Sequence, residues 1–233
     1  MKIQETLAEG KTKKIYATDE TDQLIMEFLD VIPQETSKKA TLKGKGAINA
    51  AISAYLFDYL GSYNVPTHFI KQLDDNSLVV KKLDMIPFKM VIWNLACDSL
   101  AKRLGLKDGT VLETPVLELY LKNAKLKNPL INDYHAYALG LCDRSEMGSI
   151  VRIATKVNAV LKSFFYRKKL TLANFELEFG KSGSQVLMGD ELSPDTFTVW
   201  DDVDTDKMDK KPFQITPEAA KTVYPKLHER LLK

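Results

Sequence analysis

The chain has 233 residues, 45% of them hydrophobic and 27% charged, the composition of a folded globular protein rather than a disordered one. Its 33 Lys and Arg nearly balance 31 Asp and Glu, and a net charge of +2 gives no reason to expect nonspecific binding to nucleic acid or anionic lipid. The length suits one large domain or two closely joined lobes.

The opening predicts two short strands, 12–17 and 23–29, joined through the polar turn "TDETD". Between Lys45 and Leu60 the residues Ile48, Ile52, Tyr55, Leu56, Tyr59 and Leu60 form one helical stripe, with Gly61 where such a helix stops. Strand-like runs at 67–73, 77–83 and 86–96 suggest an antiparallel sheet, and the last of them feeds a short helix through "ACDSLAKRLG". "KLKNPLINDYH" reads as an ordered surface loop.

The longest helix is expected to begin at Asp143, with Glu146 completing a capping box and Ile150, Ile153, Val157, Val160, Leu161 and Phe164 on its buried face. Arg167, Lys168 and Lys169 suit its C-terminal end. Strands at 172–179 and 184–190 flank "KSGS", and a final helix follows Thr216 as N-cap with Pro217 in its first turn. The order is mixed α+β.

Cys97 and Cys142 form no close pair, and His68, His135 and His228 have no metal-ligand spacing, so each reads as a packing residue. The N-terminus lacks an apolar signal core and no stretch is long enough to span a bilayer, which gives a cytoplasmic expectation.

Two segments could carry chemistry. In "EGKTKKIY", Gly10 with Lys11, Lys13 and Lys14 could hold polyphosphate, or could be a solvated basic edge strand. In "NFELEFGKSGSQVLMGDELSPD", period-two alternation puts Phe175, Leu177 and Phe179 on one face and Asn174, Glu176 and Glu178 on the other. With Asp190 and Glu191 ending the next strand, a carboxylate from each could hold magnesium; an acidic solvent face is the alternative. The break within "SLVVKKLDMIPFKMV" could receive a planar base or be a plain connection.

Taken in order, "EGKTKKIY", "GKGAINAAIS", "VPTHFI", "VVKKLDMIP", "SLAKRLG", "NPLINDYH", "ELEFG" and "GDELSPDTFTVWD" resemble the SAICAR synthetase (phosphoribosylaminoimidazole-succinocarboxamide synthetase) family over about residues 8–215. The resemblance implies an ATP-grasp-related, two-lobe α+β architecture that encloses magnesium-ATP, with a small ATP-binding lobe over 1–83 and a larger lobe over 84–233 carrying the metal and substrate site. It implies that ATP phosphorylates a small-molecule carboxylate and that an amine attacks the acyl phosphate. No nucleic acid or membrane partner is implied, while self-association is a family trait.

By the same resemblance, Gly10, Lys11 and Lys13 match the phosphate loop, with Lys13 in a catalytic role. Lys81, Lys82, Leu83 and Met85 match the adenine-side connection, and Lys122 the nucleotide-side segment. Glu178 and Asp190 match the catalytic metal carboxylates. Trp93, Asn94, Asp98, Ser99, Asn174, Glu176, Asp195 and Thr198 occupy substrate-side positions.

Several of these depart from the family pattern. Trp93 stands where the family has arginine, Asp98 where it has glycine, Asn174 for aspartate, Glu176 for lysine, and Thr198 and Gln214 for arginines. "VIPQETSKK" also departs, and Asn128 replaces an aspartate before Pro129. A pocket losing guanidinium groups and gaining carboxylates binds a ribonucleotide phosphate less well. The leading expectation is therefore a family ligase with an altered carboxylate substrate, in which Trp93 offers stacking surface and Asp98 or Glu176 meets a cationic or hydroxylated group. As a lone residue, Asp98 could equally be a helix cap. The alternatives are SAICAR synthesis proper, with Lys38, Lys39, Lys43 or Lys210 standing in for the lost cations, and an ATP-binding pseudoenzyme.

Overall fold

A computed structural model describes residues 1–32, 40–201, 211–213 and 217–233. In chain order the elements are β1 (Ile3–Glu9), β2 (Lys13–Thr18), β3 (Gln23–Phe28), β4 (Val31–Ile32), β5 (Ala40–Thr41), α1 (Lys45–Ser62), β6 (Phe69–Gln72), β7 (Ser77–Lys81), β8 (Asp84–Ala96), α2 (Asp98–Leu104) and β9 (Thr110–Leu121). A 3₁₀ turn (Ala124–Leu126) follows, then β10 (Leu130–Ile131), α3 (Asp133–Ala138), α4 (Arg144–Arg167), β11 (Leu170–Ser182), β12 (Gln185–Gly189), β13 (Phe197–Asp201), β14 (Lys211–Pro212) and α5 (Pro217–Leu232). The mixed α+β class expected from the sequence is observed. Thr216, the expected cap of α5, lies outside the described residues, as do Lys38, Lys39, Lys210 and Gln214.

The chain divides into two compact units. One comprises 1–83 with 191–195 and 214–233, and the other 84–190 with 196–213. The sequence had suggested a single cut at 83. The C-terminal helix instead belongs with the first unit because α5 packs on α1, burying Ala220 and Tyr224 with Ile32 against Ile48.

The first unit holds a five-stranded antiparallel sheet in the order β1-β2-β3-β7-β6. Its inner face, with Met26, Phe28, Leu78 and Val80, packs on Ala50 and Ala54 of α1. Asp30 caps that helix: Oδ2 accepts from the Gly44 N–H at 3.0 Å and Oδ1 from the Gly46 N–H at 2.9 Å. Both glycines are required by local geometry. Gly44 has φ +84°, and a Cβ on Gly46 would lie 2.4 Å from the Phe28 carbonyl oxygen.

The second unit is built on a seven-stranded sheet in the order β10-β9-β8-β11-β13-β14, with β12 also paired to β11. The run 86–96 thus pairs with β9 and β11, not with the strands at 67–81 that precede it. One face packs on α4, whose start carries the expected capping box: Asp143 and Glu146 exchange bonds of 2.8 Å. Ile150, Ile153, Val157, Leu161 and Phe164 of α4 are buried, as the periodicity required, whereas Val160, expected on the same face, is half-buried. Part of the expected loop is ordered, since Asn132 caps α3 by accepting from the His135 N–H at 3.1 Å.

Candidate active site

In the first unit the segment expected to hold phosphate is a tight turn between β1 and β2, closed by the Gly10 N–H donating to the Lys13 carbonyl at 2.9 Å. Lys11 is exposed at its tip. The Lys13 side chain turns inward, and its Nζ meets Glu191 Oε1 at 2.7 Å. The other Glu191 oxygen accepts from the Ser193 hydroxyl, and Ser193 Oγ in turn accepts from the Asp195 N–H at 3.1 Å. Lys81 and Lys82, at the end of the 1–83 segment of this unit, are exposed, with Leu83 half-buried.

Asp195 was expected on the substrate side. Its carboxylate is instead engaged inside the first unit: one oxygen pairs with Lys45 and the other accepts from the Tyr224 hydroxyl. Lys45 is fully buried, and its ammonium also lies 5.3 Å from the Tyr224 ring centroid. The Tyr224 hydroxyl is pushed far above the usual phenol range, first by burial and then by the Asp195 charge. One helical turn on from Lys45, the buried Asn49 amide finds no partner for either polar atom among the described residues.

In the second unit, strand register decides which side chains meet. Phe175, Leu177 and Phe179 are buried on the α4 side, as the alternation predicted. On the other face Glu178 stands opposite Lys89, which stands opposite Tyr120; Glu176 stands opposite Val91 and then Glu118. Thr198, Asn174, Trp93 and Val116 form the next row across β13, β11, β8 and β9. Three positions that depart from the family pattern are therefore neighbours on one face.

The acidic residues on this face are paired. Lys122 Nζ lies 2.5 Å from Glu178 Oε2, and Lys89 Nζ lies 2.7 Å from Glu176 Oε1. Glu176 is thus matched by a lysine from the adjacent strand, and the lysine-to-glutamate departure does not leave a bare negative charge. Asp190 follows Gly189, the register partner of Glu178, and adopts φ +59°. Met85, the second residue of β8, is exposed.

Trp93 is not a stacking surface. It is buried with Val91, Leu95, Cys97, Leu100, Ala173 and Trp200, and its indole N–H donates to Glu118 Oε2 at 3.0 Å. That same oxygen accepts from the Tyr120 hydroxyl at 2.8 Å, while Glu118 Oε1 meets the Arg103 guanidinium at 2.5 Å. Asn94, on the opposite face, is buried and exchanges two amide bonds with Asn158 of α4, at 2.8 and 3.0 Å. Its role is to tie sheet to helix. Asn174 donates to Cys97 Sγ at 3.2 Å, and Thr198 is half-buried.

Asp98 is not the cap of α2. Cys97 holds that position, and Asp98 is the first helical residue with φ +49°, a glycine-favoured conformation kept where the family has glycine. Its N–H donates to Asp108 Oδ1 at 3.1 Å; its side chain and that of Ser99 are exposed. Burial pushes the Cys97 thiol up to about 12.

Sequence reasoning passed over Lys45, Lys89, Arg103, Glu118 and Tyr224 and gave Glu191 no partner. Period-two alternation in "VLELYL" was a usable signal for Glu118, masked by Pro115 in the middle of the run. The strand absorbs Pro115 in a bulge: Trp93 pairs with Val116 but Leu95 with Val111.

Residues 6–231 match the family model described as SAICAR synthetase. The chain belongs to the SAICAR synthetase family. It is 42% identical over 228 residues to the phosphoribosylaminoimidazole-succinocarboxamide synthase of Prosthecochloris aestuarii (strain DSM 271 / SK 413), covering 97% of both chains. It matches a type-2 SAICAR synthetase solved in complex with ADP at 39% identity and a TM-score of 0.89, covering 98% of this chain and 97% of that one. It also matches the type-1 crystal structure of SAICAR synthetase from Pyrococcus horikoshii OT3 at 39% identity and a TM-score of 0.85, covering 94% and 96%. These likenesses make the protein an ATP-dependent ligase with a SAICAR-synthetase fold, and no helix among the described residues is long and apolar enough to cross a membrane.

Proposed function

We propose that the protein catalyses SAICAR synthesis: magnesium-ATP, a carboxyaminoimidazole ribonucleotide and L-aspartate give the succinocarboxamide, ADP and phosphate. The observation that carries this reading is full-length likeness at 42% identity to a synthase of that name. An altered carboxylate gains no support from the relatives' names.

The chemistry follows from what a carboxylate lacks. A bare carboxylate is a poor acyl donor, so its oxygen attacks the terminal phosphate of ATP and ADP leaves. The aspartate amine then adds to the acyl phosphate, loses a proton and expels phosphate. Lys13 supplies a cation for the phosphates, and Glu191 fixes where that ammonium sits. Gly10 and Lys11 supply the loop, Lys81, Lys82, Leu83 and Met85 the adenine-side connection, and Lys122 a second ammonium.

Glu178 and Asp190 fit a magnesium ion. They offer hard oxygen donors, and strand register brings them close in the fold, since Asp190 follows Gly189, the partner of Glu178. Two carboxylates are the donor set with which magnesium is bound when phosphate oxygens and water complete its shell. When bound, magnesium supplies charge neutralisation for the transferring phosphoryl group.

A second reading is favoured by one observation. The row Trp93–Asn174–Thr198 places two lost arginines and a lost aspartate side by side, with Trp93 withdrawn into the core. A family ligase acting on a carboxylate without a 5′-phosphate fits that row. ADP release and product mass with the ribonucleotide and aspartate, set against a Glu178→Ala control, separate the two. Product from the native chain alone supports SAICAR synthesis, whereas ATP binding without product with this substrate overturns it.

A further inference from the structure

Residues 191–195 belong with the first unit, although the stretches on either side of them in sequence, 84–190 and 196–213, belong with the second. Polar groups hold this segment. Lys45, Asn49 and Ser53 of α1, spaced four apart and so on one helical face, are each fully buried. Ser53 Oγ donates to the Leu192 carbonyl at 3.0 Å, and Lys45 pairs with Asp195, whose second oxygen accepts from the Tyr224 hydroxyl of α5.

Stability alone does not call for such a face. A buried ammonium, and an Asn49 amide with no partner among the described residues, both carry a desolvation cost that apolar side chains of similar volume would avoid. What the polar groups supply is direction, since each bond aims one donor at one acceptor.

The contacts continue from α5 to Lys13. Tyr224 bonds Asp195, the Asp195 N–H donates to Ser193 Oγ at 3.1 Å, the Ser193 hydroxyl donates to one Glu191 oxygen, and the other Glu191 oxygen meets Lys13 Nζ at 2.7 Å. A shift of Asp195 therefore reaches the carboxylate that orients the Lys13 ammonium.

We propose that Tyr224 is a positioning residue for ATP binding, acting through Asp195, Ser193 and Glu191 on Lys13, which rests on the reading of Lys13 as the cation for the phosphates. The C-terminal helix is thereby part of what supports the nucleotide site.

The test measures, by calorimetry, the Kd of a non-hydrolysable ATP analogue with magnesium for the native chain, Tyr224→Phe, Glu191→Gln and the double variant, with urea unfolding of each. Tyr224→Phe keeps the ring and removes the hydroxyl, and should weaken binding about threefold to tenfold. In the Glu191→Gln background, where binding is already weaker, the same change should add little, because the relay is cut upstream of Lys13. A control for lost stability, Val157→Ala in the buried face of α4, should lower the urea midpoint and leave the Kd unchanged. Native affinity in a destabilised Tyr224→Phe, or full additivity of the two changes, overturns the proposal and leaves Tyr224 a structural residue. A native chain that does not bind the analogue overturns the role of Lys13 and the relay with it. Product mass with the ribonucleotide and aspartate reports separately on SAICAR synthesis: coupled ATP binding without that product sinks the reaction assigned and not the relay, so the two failures are distinguishable.

Discussion

Nζ of Lys13 lies 2.7 Å from Oε1 of Glu191, and the Glu191 side chain is only 2% exposed. The Lys13 ammonium is therefore oriented by a buried carboxylate, which in the proposed reaction aims it at the phosphates of ATP. Glu191→Gln keeps the shape and the acceptor for Ser193 but removes the charge. The expected outcome is a KM for ATP raised about tenfold, from the loss of a charge-assisted bond of about 1.5–3 kcal/mol. Initial rates against ATP concentration check it, and an unchanged KM means that Lys13 finds the phosphates unaided.

The pair of Lys45 and Asp195 tests the interior of the first unit. Lys45→Met leaves the Asp195 carboxylate buried with the Tyr224 hydroxyl but without its cation. Breaking a buried pair by removing one partner costs about 3–5 kcal/mol. Adding Asp195→Asn should recover a substantial part of that loss, because the uncompensated charge is then gone. Urea unfolding of the single and double variants measures it; a double variant as unstable as the sum of the singles would show the two side chains to be uncoupled.

The sequence made some of this legible and hid the rest for physical reasons. Alternation assigned Phe175, Leu177 and Phe179 to the core because the period of a strand is fixed by its backbone. The capping box of Asp143 and Glu146 was readable because its partners are three residues apart. The bonds Lys13–Glu191, Lys45–Asp195 and Arg103–Glu118 join residues distant in sequence, and no local pattern encodes them. The Trp93–Asn174–Thr198 row needed strand register, which the sequence does not print. Family likeness named the substitutions at 93, 98 and 176, yet only packing revealed that Trp93 is buried, that Asp98 keeps a glycine-like backbone and that Glu176 has a lysine beside it.

Asp98→Gly should stabilise the protein. The native residue holds φ +49°, where an L side chain costs energy that glycine avoids, and its side chain is exposed. Aspartate tolerates this region better than most residues, so the expected gain is about 0.5–1 kcal/mol, offset in part by the flexibility of glycine in the unfolded chain. Differential scanning calorimetry should show a rise of roughly 1–4 °C in Tm. A fall would mean that the carboxylate supports the α2 start more than the backbone strains it.

The thiol of Cys97 gives a pH signature. Burial pushes it from an ordinary 9.0 up to about 12, outweighing the Asn174 amide, which favours the thiolate. The folded chain thus holds this proton more tightly than the unfolded chain does. Its contribution to stability is fully present below pH 9, declines as pH rises through the window from 9 to 12, and is gone above it. Lysines and tyrosines titrate in the same window, so the signature is read as a difference. The urea midpoint of the native chain should fall more steeply between pH 9 and 11 than that of Cys97→Ala. The same burial should keep Cys97 unmodified by iodoacetamide at pH 8 while the protein is folded. Parallel pH slopes for the two chains would show that the thiol ionises in the folded state as readily as in the unfolded one.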